Sequence, residues 1–165
     1  MCYDEMHMEI NVLFDEGFDA CLDTGWLESI AKAALAAQGV GEDVEMGLVI
    51  ASQERVRELN KTYRGQDKPT DVLAFALLPE SDTGQGLSFT TPPDGIKHLG
   101  EVIISYPQAV RQAGEHQHPV KKEIAILIIH GVLHLLGYDH IKSDEAVVMS
   151  AKEAEILKVV EVELK

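Results

Sequence analysis

Residues 130–140 read HGVLHLLGYDH and hold three of the chain's seven histidines, at 130, 134 and 140. Few patterns constrain a chain more. Positions four apart lie one turn apart on the same helix face, so His130 and His134 can aim their rings at one spot. Gly137 offers a left-handed cap that ends the helix and reverses the chain, and His140 follows that turn and can swing back. Three neutral imidazoles about 2.0–2.1 Å from a Zn²⁺, with one position left for water, describe a catalytic zinc site. The plain alternative is a pair of hydrogen-bonded core histidines. Agreement of ligand type, helical phase and turn favours the metal, one ion per chain. Three imidazoles also suit nickel, copper or iron, so another divalent transition metal stays open. The apolar run IAILII, 124–129, would hold the first ligand rigidly.

The rest of the chain reads as a frame for that helix. MEINVLF (8–14) alternates as a strand, and VEMGLVIA (44–51), TDVLAFAL (70–77) and HLGEVIISY (98–106) supply three more. Helices are expected from Thr24, as N-cap, to about Gln38 with Gly39 closing it. Further helices run from a Ser52 cap to about Tyr63 with Gly65 ending it, from Pro107 to about Gly114, over about 119–136, and from Ser143 to near the C-terminus. Pro69 precedes the third strand, and residues 79–96, rich in Pro, Gly, Ser, Thr and Asp, read as a mobile loop. At 165 residues the expectation is one domain, 1–165, large enough for a proper core. The fold class expected is α+β: a small four-stranded mixed sheet covered by about five or six helices.

Composition limits the function classes. The cysteines, Cys2 and Cys21, form no CxxC, which points to a reducing compartment without a disulfide framework or thiolate metal site. MCYDEMHMEI lacks a basic then apolar pattern, so no secretion signal is expected, and no run approaches a membrane span; the expected location is cytoplasmic. Net charge is −14, which argues against a nonspecific polyanion binder. Yet residues 55–68, RVRELNKTYRGQDK, carry five cations against two carboxylates, a local +3. Such a run is either a solvated helix face or an RNA-facing strip. His98, His116 and His118 share no ligand spacing, and the last two are expected on the surface without a role.

The HxxxHxxGxxH spacing is similar to that of metzincin peptidases, which implies a zincin-like metal helix. Their HExxH glutamate, however, is the general base. Here that place is Gly131, so a peptidase would lack its base. Asp139 is expected to orient an imidazole or cap the turn.

HGVLHLLGYDH also resembles the HGxLHLxGYDH signature of the YbeY family of bacterial endoribonucleases. LNKTYRGQDKPTDVLAF (59–75) resembles that family's LNxxYRxxDxPTDVLSF, and LGEVIIS (99–105) its LGDIxIS. The matches fall in the family's order over roughly 45–142. Ala74 stands where serine is usual and Glu101 where aspartate is common, neither at a metal or arginine position. The resemblance implies an α+β fold with a four-stranded mixed sheet, zinc on His130, His134 and His140, and a functional Arg64. It also implies hydrolysis of single-stranded RNA in maturation of the 3′ end of small-subunit ribosomal RNA, with ribosome quality control.

The chemistry then expected is zinc-assisted attack on a phosphate at His130, with zinc lowering the pKa of its water to about 7 in place of a strong base. Arg64 would stabilise developing charge, and Arg57, Lys61 and Lys68 would track the RNA backbone. Tyr63 can stack a base, while Phe75 suits the core. The acidic total implies weak affinity for naked RNA and targeting by a partner, the small ribosomal subunit or an Era-type GTPase. The alternatives are a metal-dependent peptidase or small hydrolase, and a noncatalytic assembly factor with a structural metal.

Overall fold

The fold is seen in a computed structural model that describes residues 8–15, 17–18, 22–38, 43–68, 70–76, 97–137 and 143–161. Strands β1 (Met8–Phe14), β2 (Val44–Ala51), β3 (Val72–Ala76) and β4 (Lys97–Ser105) form one sheet in the order β1-β2-β4-β3. β1, β2 and β4 run parallel, and β3 lies antiparallel to β4 at the edge. Helices α1 (Thr24–Ala37), α2 (Gln53–Arg64), α3 (Tyr106–His116), α4 (Val120–Leu135) and α5 (Ser143–Glu161) surround it. The α+β class and mixed sheet follow the sequence reading. Among the described residues no helix is long and apolar enough to cross a membrane.

Local chemistry sets most boundaries. Ser52 accepts from the Arg55 amide at 3.1 Å and starts α2, and Gly65 closes it at φ 70°. Ser105 caps α3, with Pro107 in its first turn. One expectation shifts: the cap of α1 is Asp23, whose carboxylate accepts from the Trp26 amide at 2.9 Å, so Thr24 is the first helical residue. A carboxylate is the stronger acceptor and also complements the helix dipole. α3 runs two residues past Gly114, to His116, where Gln117 takes a left-handed φ of 57°. Gly39, Pro69, the 79–96 loop, Asp139 and His140 lie outside the described residues.

Strand alternation divides the molecule. Val44, Met46, Leu48, Ile50, Val102 and Ile104 point to the main core, built with α1, α4 and α5. Val49, Ala51, Leu73 and Ile103 point to the other face, which Val56 and Leu59 of α2 cover with Phe75. α4 and α2 therefore sit on opposite faces of the sheet. α4 is the hub of the main face: it packs on β3 and β4 and touches α1, α3 and α5. Being enclosed on several sides, it is apolar nearly all round.

Gly131 explains how close that hub comes. A Cβ on Gly131 would lie 2.5 Å from Cγ1 and 2.8 Å from Cγ2 of Val102. The helix crosses β4 at this residue with no space for a side chain. Position 131, which in the peptidase pattern carries the general base, here faces the sheet. Gly131→Ala is expected to destabilise the fold by about 1–3 kcal/mol through overpacking, read as a lower urea midpoint. An unchanged midpoint would mean that α4 does not approach the sheet this closely.

Candidate metal centre and the surfaces around it

Anchored at Gly131, α4 presents His130 and His134 along one side, both half-buried. Their Nε2 atoms lie 3.1 Å apart, with ring centroids 4.6 Å apart and planes at 71°. The Nδ1 of His130 meets the Glu153 Oε2 of α5 at 2.5 Å. A carboxylate only accepts, so its partner nitrogen donates, and in a neutral ring the Nε2 of His130 then carries the lone pair. Two nitrogens on one tetrahedral ion at about 2.0–2.1 Å stand about 3.3–3.4 Å apart. The observed pair is within a few tenths of an ångström of that, so the donor set fits a cation of the zinc type. His140, the expected third ligand, and Asp139 are outside the described residues.

A second group of ligand-type side chains gives a shared partner to His116, which is exposed as expected, and to His118, which is half-buried rather than on the open surface. His118 Nε2 lies 2.6 Å and His116 Nδ1 3.1 Å from Oε1 of Glu123, whose side chain is only 3 % exposed. The three ligand atoms lie within 4.8 Å of one another, close enough to hold a metal ion. With its nitrogen turned to the carboxylates, the Gln112 amide donates to Glu123 Oε2 at 2.9 Å and Asp71 Oδ2 at 3.2 Å. Both Glu123 oxygens thus have donors within the protein. A buried carboxylate needs such partners whether or not an ion visits.

The basic segment sits across the sheet on α2. Arg55 pairs with Asp15, and Arg57 Nε donates to Asp67 at 2.8 Å. That hydrogen bond lowers the Asp67 carboxyl below its ordinary range, outweighing a small desolvation effect. Arg57, expected to track RNA, is thus engaged by a carboxylate. Lys61, Arg64 and Lys68 are exposed, and no ion pair joins them to another described residue. The Asp67 carboxylate is engaged by Arg57 rather than by Arg64. Tyr63 is 67 % exposed, with its ring edge-on to Phe75 at 5.5 Å and 68°. Phe75 leans on the smaller core, as expected. α2, whose last residue is Arg64, and α4, which carries the histidine pair, lie on opposite faces of the sheet, and each helix packs on β3 at the edge.

Sequence reasoning missed Glu153 and Glu123. No spacing rule links position 130 to 153. A signal existed nevertheless: Glu153 falls four residues after Met149 and three before Ile156, both fully buried. A carboxylate in phase with a helix's buried stripe needs a partner. Glu123, one residue before the apolar run, carries the same signal.

A family model described as "Endoribonuclease YbeY" matches residues 19–161. The chain is 52 % identical over 136 residues to the endoribonuclease YbeY of Dehalococcoides mccartyi, covering 81 % of this chain and 79 % of that one. It is 47 % identical to the one from Moorella thermoacetica over 79 % of this chain and 82 % of that. For the one from Chloroflexus aurantiacus identity is 42 %, over 91 % and 94 %. Among solved structures, the solution structure of TM1509 from Thermotoga maritima superposes with a TM-score of 0.61 at 27 % identity, covering 94 % of this chain and 91 % of that one.

His118→Ala would deprive the buried Glu123 carboxylate of its nearer donor. The expected outcome is a loss of about 1–3 kcal/mol in chemical denaturation, with the metal content of the purified protein unchanged. Metal loss without destabilisation would instead place an ion at Glu123.

Proposed function

We propose, from the fact that this chain belongs to the endoribonuclease YbeY family, that it is a metal-dependent endoribonuclease of ribosomal RNA processing. The observation that carries the reading is the convergence of the His130 and His134 Nε2 atoms at 3.1 Å, with Glu153 holding the far side of His130. In this reading His140 completes the ligand set and the ion is zinc. An ion held there supplies a Lewis acid for a phosphoryl oxygen and makes water acidic enough to react at neutral pH.

The chain's own residues do the rest. His130 and His134 bind and orient through Nε2. Arg64, exposed at the C-terminal end of α2 and without a carboxylate partner among the described residues, is in this reading the residue that stabilises charge spreading over a phosphate in the transition state. Lys61 and Lys68 follow the RNA backbone, and Arg57 joins them only by leaving Asp67. Tyr63 offers an exposed ring on which a base can stack. Because α2 and α4 lie on opposite faces of the sheet, RNA touching both must turn round the β3 edge. A flexible single strand can make that turn, whereas A-form duplex presents a stiff surface.

The peptidase alternative weakens further, since Gly131 points at Val102 and leaves no space for a base. The net charge of −14 supports weak binding to free RNA and delivery by a partner, namely the small ribosomal subunit, with an Era-type GTPase as a candidate, in the cytoplasm.

The test pairs elemental analysis with cleavage of single-stranded ribosomal RNA by wild type and His130→Ala purified in parallel. Wild type should carry one zinc per chain and cleave; the variant should lose both. Equal cleavage by the variant would overturn the reading, as would casein hydrolysis that disappears with His130. Arg64→Ala should lower kcat by about 10²–10³-fold with the metal retained. Tyr63→Ala should mainly raise KM, by about 5–150-fold, in keeping with about 1–3 kcal/mol for one lost stack.

A further inference from the structure

We infer that Glu153 is a positioning residue of the metal centre: its carboxylate holds the His130 proton on Nδ1, so that the Nε2 lone pair stays turned toward His134. The inference rests on the metal reading above and adds a residue 23 positions away, on a different helix, that no motif identifies.

Three observations carry it. The first is geometry. Glu153 Oε2 lies 2.5 Å from His130 Nδ1, while the other ring nitrogen faces His134. A free imidazole exchanges its proton between two nitrogens, and only the form with Nδ1–H presents Nε2 as a donor atom to an ion. A fixed acceptor beside Nδ1 selects that form and also fixes the ring's rotation. The second is placement. Glu153 occupies the inward phase of α5, between Met149 and Ile156, both buried. An apolar residue there would pack without desolvating a charge, so packing alone does not account for a carboxylate. The third is pairing. The side chains of Glu153 and His130 are 27 % and 28 % exposed, and among the described residues His130 is a hydrogen-bonding neighbour of the Glu153 carboxylate. An exposed pair would contribute little; this one lies partly out of water, beside the atom that would take the ion.

A further consequence concerns α5. The helix packs on α4, and this bond ties its middle to the ligand ring. Docking of α5 and readiness of the site are therefore coupled through one side chain.

The experiment uses the full chain as wild type, Glu153→Ala and Glu153→Gln. Zinc affinity is measured by competition with a chromophoric chelator, and the His130 tautomer by ¹⁵N NMR of the metal-free protein. Glu153→Ala should weaken zinc binding about 10–100-fold and let His130 populate the Nε2–H form. Glu153→Gln, whose amide oxygen still accepts from Nδ1, should keep the tautomer and recover part of the affinity. Circular dichroism checks the fold, and if the alanine variant unfolds, the glutamine variant and the wild-type tautomer decide. The inference is overturned if His130 in wild type carries its proton on Nε2, or if folded Glu153→Ala binds zinc as tightly as wild type. Should wild type take up no zinc at His130 and His134, the metal reading fails, and the tautomer measurement still judges Glu153.

Discussion

The close contact between α4 and β4 governs this structure. With glycine at 131, the helix backbone comes down onto the Val102 side chain, and that seating fixes the helix in rotation as well as height. Rotation matters most. At 100° per residue, the neighbour of a sheet-facing position points sideways, and so does the residue three further on. His130 and His134 thereby fall on one flank, where their nitrogens meet and α5 can reach them. A side chain at 131 would lift or turn the helix and move both imidazoles together. The residue that deprives the chain of a peptidase base is the one that aligns its imidazoles.

The same helix carries two carboxylate–imidazole contacts of different character. Near its start, Glu123 is enclosed, with two histidines at one oxygen and the Gln112 amide at the other. This set ties α3, α4 and the approach to β3 together, with both Glu123 oxygens facing donors within it. Near its end, Glu153 takes one nitrogen of His130 and leaves the other turned toward a second imidazole. Both are histidine beside carboxylate: the first gathers two imidazoles around one buried carboxylate, whereas in the second two imidazole nitrogens converge on each other.

Charge is partitioned in the same spatial way. Two of the five cations in residues 55–68 are matched by Asp15 and Asp67. Lys61, Arg64 and Lys68 remain as the exposed cationic strip, next to an exposed tyrosine. In a chain of net charge −14, a strip of three cations attracts a polyanion only locally. The strip lies on and just after α2, the helix across the sheet from α4.

Local patterns in the sequence determined the elements. Alternation marked the strands, Ser52, Gly65 and Gly137 marked helix ends, and the four-residue spacing of His130 and His134 placed them on one face. Each of these depends on backbone geometry within a few residues, so it is legible without knowing what packs where. Thr24 as the cap of α1 misled because two adjacent residues can both cap, and the choice of Asp23 depends on how the chain enters the helix. Only the tertiary structure decided which carboxylate reached which imidazole, which cations stayed exposed, and that α2 and α4 lie on opposite faces of the sheet. Those facts depend on the order of strands and on α5 lying against α4, and contacts across 23 or more residues are set by packing rather than by spacing along the chain.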